Sequence, residues 1–476
     1  MQHSMPRTLF EKIWDDHVVD ELGNGLCLIH IDRHFLHELS GSAALMNLDK
    51  AARKVRNREL TFATLDHVLE TTPGRGMATR IPGGNDFLRE MTARVVAHEI
   101  RFFDLDDPRQ GIVHVIAPEL GVVLPGMTFI CGDSHTCTVG AVGAFAWGVG
   151  SSDSEHALAT QVVIASRPKT MRVNLEGALR DGVTAKDVIL ALIGRYGVDG
   201  GSGYAVEFAG SVVDDMQMSG RFTLCNMAVE FGGRTGLIAP DETTFAYLKA
   251  GEFSPKGGAW DAAVSYWRML PSDPNAVYDL ELTLDCSTLD PQVTWGITPE
   301  QVGGLRDPVP VHARRTTSVG RASYARAIEY SGVTPNMPVL GLPIDGAFIG
   351  SCTNSRLDDL RAAAAILKGR KVASGVKAIC TPGSTSVKRA AEAEGIDLIF
   401  VAAGFEWRES GCSLCASGSA GGESFAFGGR VIASTNRNFE DRMGTSVKAH
   451  LASPQTVAAS AVLGRIADVR ELEAAG

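Results

Sequence analysis

Short runs rich in Val, Ile and Phe alternate along this chain with stretches whose apolar residues recur every three or four positions, the pattern of layered α/β structure. Residues 112–116, 128–131, 345–349 and 398–401 each end in a glycine-bearing or polar loop, and each is a predicted strand of a parallel sheet. The segment 355–367 predicts a helix with Leu360, Ala363, Ala364 and Leu367 turned inward and Asp358, Asp359 and Arg361 outward. A stretch dense in Pro, Asp and Gly at 271–310 reads as a connection, and a weaker change occurs near 169–173. Three α/β domains are therefore expected, at 1–170, 171–330 (which includes that connection) and 331–476.

Composition supports a large core: 45% of the 476 residues are hydrophobic and 21% charged. A formal net charge of −10 argues against a nucleic-acid partner, because phosphate binding needs clustered Lys and Arg. Charges interrupt every apolar run of the first residues, so neither a signal peptide nor a membrane span is expected, and the expected location is cytoplasmic. Nine cysteines in such a setting point to metal ligation or buried thiols rather than disulfides.

Cys352 lies in Ile349-Gly-Ser-Cys-Thr-Asn-Ser355, between a predicted strand and a predicted helix, where a helix N-terminus favours the thiolate. Cys412 and Cys415 form Gly411-Cys-Ser-Leu-Cys415, whose spacing suits adjacent irons of one cluster but equally a redox pair, a zinc site or chance. A four-iron four-sulfur cluster on three cysteines would leave one iron open to water or substrate. Cysteines 27, 131, 137, 225, 286 and 380 are expected to be buried thiols, with Cys131 and Cys137 the nearest to a candidate active-site loop.

That loop is Gly132-Asp-Ser-His-Thr136, which offers Asp133 and His135 as a proton-handling pair at the end of a strand. Asp66-His67 and His114 are further candidates, although a lone histidine on an apolar strand is commonly a core residue. Asn226 and Glu230 would share one face if their segment were helical, and a surface polar pair is the plain alternative. Arg437 and Arg442, in a polar loop after Asn436, could grip a carboxylate by bidentate hydrogen bonds.

In this order these motifs resemble the aconitase superfamily over nearly the whole chain. The resemblance runs from Thr8-Leu-Phe-Glu-Lys-Ile13 and Ile31-Asp-Arg-His34 through Asp66-His67, Gly111-Ile-Val-His114, Leu124-Pro-Gly-Met127 and Cys131-Gly-Asp-Ser-His-Thr136. It continues through Thr223-Leu-Cys-Asn-Met227, Val293-Thr-Trp-Gly296, Phe348-Ile-Gly-Ser-Cys-Thr-Asn-Ser355, Ala403-Gly-Phe-Glu-Trp407 and Asn436-Arg-Asn-Phe439.

The resemblance implies a body of three packed α/β domains carrying one 4Fe-4S cluster on Cys352, Cys412 and Cys415, with Asn226 and Asn436 as its neighbours. It implies that His67, supported by Asp66, protonates a departing hydroxyl, that His114 pairs with Asp133, and that His135 pairs with Glu230. Arg437 and Arg442, with Ser134 and His37, would bind the substrate. The implied activity is a hydro-lyase that isomerises 2-isopropylmalate to 3-isopropylmalate in leucine biosynthesis. Related reactions on citraconate, dimethylmaleate, homoaconitate or another alkylmalate are alternatives, and a redox or RNA-binding iron–sulfur regulator is the alternative of another class. Because the swivelling fourth domain of single-chain relatives has no counterpart here, a separate small subunit is expected to bring it, with a catalytic serine. The segment 416–427, the run 440–449 and Val68-Leu69 depart from the usual pattern near the expected site.

Overall fold

A computed structural model describes residues 5–473. The chain forms two compact units: the first comprises the segment ending at Val68 with Gly83–Gly177 and Asp199–Leu284, and the second comprises Leu69–Pro82, Ala178–Val198 and the chain from Asp285 onward. No helix among the described residues is long and apolar enough to cross a membrane.

The first unit is built on a five-stranded sheet in the spatial order Arg101–Phe103, Thr61–Thr64, Arg33–Leu36, Thr128–Cys131, Phe145–Gly148, with every neighbouring pair parallel. Parallel strands are covered on both faces, which is why Thr61–Thr64 and Thr128–Cys131 are buried at every position. Phe35, Phe62, Phe103 and Phe129 stack across this sheet, Phe35 and Phe62 with ring centroids 5.9 Å apart. Each such buried ring contributes about 1.5–3 kcal/mol. The same unit holds a second sheet, in which Lys169–Glu176, Tyr204–Ala209 and Thr235–Leu237 run parallel, and a small antiparallel sheet of Val18–Gly23, Leu26–His30 and Val162–Ser166.

The second unit repeats the first topology. Its five parallel strands lie in the order Phe405–Trp407, Lys377–Cys380, Gly346–Ile349, Arg430–Ala433, Lys448–Leu451. In both sheets the strand that comes first in sequence is central, and the winding reverses beside it. Loops leaving the carboxyl ends of the two strands at that reversal diverge and leave a crevice, the usual place for ligands in open α/β sheets.

The predicted strands at 128–131 and 345–349 are observed, the latter as Gly346–Ile349, and the predicted helix is Leu357–Leu367 with the four expected residues buried. Asp359, however, does not point outward: its carboxylate turns back to accept from the Arg356 N–H and the Asn354 amide, both at 3.0 Å, closing the helix N-terminus. Two other predicted strands are helices. Residues 113–116, after Ile112 at the N-cap, lie in Val113–Glu119, a helix buried on every side through Pro118, and 398–401 lie in Ile396–Ala403, framed by Gly395 and Gly404 at positive φ. Short β-branched runs carry no period of their own, and the packing available decides between the two forms.

Close backbone approach fixes one glycine beside the candidate loop: a Cβ at Gly140 would stand 1.8 Å from the Gly236 carbonyl oxygen. Gly140→Ala is expected to destabilise the chain by about 1–3 kcal/mol through overpacking, whereas Gly258→Ala, whose Cβ would meet nothing within 4 Å, should leave the thermal midpoint nearly unchanged. Equal midpoints in calorimetry would refute the close-packing argument.

Candidate functional site

In the first unit, three strand ends of the main sheet deliver polar side chains to one place. His37 and Glu38 follow Arg33–Leu36, Asp66 and His67 follow Thr61–Thr64, and Asp133 follows Thr128–Cys131. Both ring nitrogens of His67 meet carboxylates, Nδ1 at 2.6 Å from Asp66 and Nε2 at 2.7 Å from Asp133. Burial alone would depress its pKa, but Asp66 and Asp133 more than offset this and hold His67 as an imidazolium well above the usual histidine range.

Asp133 is the hub. Its carboxylate also lies 3.3 Å from His114 Nε2 and accepts the His135 backbone N–H at 2.6 Å. Burial would raise its pKa, yet His114, His135 and His67 together hold it well below the carboxylate range. His135 Nε2 stands 3.0 Å from Glu230, and Ser134 Oγ 3.3 Å from His135 Nδ1. The expected Asp66–His67, His114–Asp133 and His135–Glu230 pairs are thus all present.

Asn226 and Glu230 do not form a surface pair. The helix Met218–Asn226 ends at Asn226, whose buried amide donates to Thr138 at 2.8 Å, while Glu230 turns to His135 beyond it. His114 stands on a buried helix, and His37 is 2% exposed, stacked on His67 with ring centroids 4.4 Å apart. Burial and the charge on His67 both lower the pKa of His37, so it stays neutral beside an imidazolium.

Sequence reasoning missed Glu38. Fully buried, it accepts from the backbone N–H groups of Asp66 at 3.1 Å, of His67 at 2.8 Å and of Val68, and so fixes the turn that aims the imidazole. A charged residue at a strand-to-helix turn was its one signal, and that is common on ordinary surfaces.

The second unit gathers the three candidate cysteines. Cys352 follows the central strand Gly346–Ile349, whereas Cys412 and Cys415 lie in the connection that reverses the winding. They are 6%, 5% and 6% exposed, and none of the nine cysteines is in a disulfide. The other six are buried, Cys131 and Cys137 included, and burial pushes the Cys131 thiol well above its ordinary value.

Two non-glycine residues with positive φ stand beside the candidate cysteines, Ser351 at 76° and Ser413 at 50°, a strained conformation that the surroundings must hold in place. Leu414 supplies one hold by inserting, fully buried, among Phe348, Ile379, Phe425 and Met443. Glu423 supplies another: it is 2% exposed and accepts the Ser413 hydroxyl at 2.8 Å together with the Thr71 N–H and hydroxyl. Neither Glu423 nor Thr71 was legible as part of the site.

The donor set suits an anionic iron–sulfur group. Asn436 donates from Nδ2 to Cys352 Sγ at 3.5 Å, its Oδ1 lies 3.6 Å from Cys415 Sγ, and Arg442 donates to Cys415 Sγ at 3.7 Å. Side-chain amide and guanidinium donors beside the sulfurs of Cys352 and Cys415 are the kind of outer partners that metal-bound sulfur keeps. Arg442 also stacks on Phe439, its guanidinium 5.1 Å from the ring centroid, and Arg437 is half-buried in the same loop.

The model of the aconitase family (aconitate hydratase) matches residues 11–464. The chain is also 52% identical over 467 residues, covering 98% of this chain and 97% of the other, to the protein named 3-isopropylmalate dehydratase large subunit 1 of Bradyrhizobium diazoefficiens.

Since the raised pKa of His67 depends on two carboxylates, Asp133→Asn should let the ring lose its proton at lower pH. The stabilisation its charge provides is complete below the unfolded value and lost as pH rises through the folded one, so the alkaline limb of a pH–rate profile should move toward neutrality. The rate should fall about 10²–10⁴-fold. An unmoved alkaline limb would show that His67 does not titrate in the reaction.

Proposed function

The chain belongs to the aconitase family, and from that premise we propose that it is the large subunit of a hydro-lyase that isomerises 2-isopropylmalate to 3-isopropylmalate, a step of leucine biosynthesis. The observation that carries this reading is the presence in one chain of three buried thiols, two of them with side-chain donors at their sulfurs, and an imidazolium clamped by two carboxylates. The family implies an iron–sulfur cluster. We assign it as a 4Fe-4S cluster held by Cys352, Cys412 and Cys415, with Asn436 as its neighbour. When bound, it supplies an open iron that polarises a hydroxyl and a carboxylate.

The chain's own residues then handle protons and charge. His67 gives the proton at one ring nitrogen to the departing hydroxyl, which leaves as water, and regains one when water adds back to the neighbouring carbon. Asp66 keeps the ring oriented throughout. Asp133 stabilises the charged form of His67 and holds His114 in place, while Glu230 orients His135. Arg437 and Arg442 bind the substrate carboxylates, and Ser134 and His37 complete the contacts to this small di- or tricarboxylate.

The carbon-bound proton needs a base, which we assign to a serine on a small subunit carrying a swivelling domain. The designation of the relative as a large subunit supports such a partner. We propose a cytoplasmic setting, in keeping with nine cysteines none of which is in a disulfide.

Purified without oxygen and assembled with its small subunit, the chain should convert 2-isopropylmalate and accumulate the ultraviolet absorbance of an alkene. Cys352→Ser should lower turnover by about 10²–10³-fold or more and reduce iron content. Undiminished turnover by that variant would sink the proposal, and activity on citraconate without any on 2-isopropylmalate would reassign the substrate.

A further inference from the structure

We propose that Lys186 is a positioning residue of the cysteine site: its buried ammonium grips the main chain that holds Asn436 against two sulfurs and balances their negative charge. The inference rests on the iron–sulfur reading of Cys352, Cys412 and Cys415, and all the groups it invokes belong to the second unit.

Lys186 is the second residue of the helix Ala185–Tyr196, whose start is fixed by the reciprocal Thr184–Asp187 capping box. Its side chain is fully buried, and Nζ donates to the carbonyl oxygens of Ser434, at 3.0 Å, and of Thr435. Those carbonyls belong to the turn leaving Arg430–Ala433, immediately before Asn436. Asn436, 1% exposed, touches both Cys352 Sγ and Cys415 Sγ and donates to Thr353 Oγ1 at 3.1 Å. Two carbonyls and one amide thus link the ammonium to two thiols.

A buried cation is costly without compensating charge. Burial pulls Lys186 down to about 7, and the groups that oppose this are, in order, Cys415, Cys352, Asp359 and Asp187. The two sulfurs come first, ahead of either carboxylate. A lysine that merely capped carbonyls would have no such tie to the sulfurs.

The test uses the full chain reconstituted anaerobically with iron and sulfide, as wild type, Lys186→Met and Lys186→Gln. Glutamine can still donate to a carbonyl but carries no charge, so it keeps the test decisive should the methionine variant fold poorly. Both variants should lose iron to a chelator about tenfold faster, the order of effect of one charge-assisted hydrogen bond. Both should also show a lower reduction midpoint, because a nearby positive charge has been removed. Iron loss and midpoints equal to wild type would overturn the inference. So would an identical drop in melting temperature with and without the cluster, which would mark a purely structural lysine. If wild type itself takes up no cluster, the iron–sulfur reading fails and takes this inference with it.

Discussion

Ionised groups can be buried only where each has a partner, and that requirement shapes both units. His67 is charged because two carboxylates enclose it, and those carboxylates are ionised because imidazoles surround them. Removing any member leaves another uncompensated, a cost of several kcal/mol per stranded ion. The network is therefore held in place by its own electrostatics, and Glu38 ties it to the backbone.

The sheets make such assemblies achievable. In each five-stranded sheet the chain starts at the centre, winds to one edge and returns to the other side. Residues far apart in sequence thereby reach neighbouring strand ends: Glu38, His67 and Asp133 in one unit, Cys352 and Asn436 in the other. Strands fix where these side chains begin to a fraction of an ångström, while the loops after them are free to carry chemistry.

Much of this was legible in the sequence because chemistry and local pattern coincided. Gly132-Asp-Ser-His-Thr136 follows an apolar run that does form a strand, and the cysteine loops are marked by residue types that seldom cluster otherwise. The parts that could not be read lack either cue. The apolar runs around His114 and Phe400 became helices because an aperiodic buried segment is shaped by its neighbours rather than by its own composition. Glu38, Glu423 and Lys186 are single charged residues whose meaning comes only from burial, and burial depends on the assembled fold.

The clamp on His67 has a dynamic consequence. An imidazole whose two nitrogens are both engaged, and whose face is covered by a second ring at 4.4 Å, cannot turn over about its Cβ–Cγ bond without breaking both contacts at once. Its nitrogen-bound hydrogens should therefore trade with solvent slowly and remain visible in a magnetic resonance spectrum, far downfield of the amide envelope, long after those of surface histidines have been averaged away.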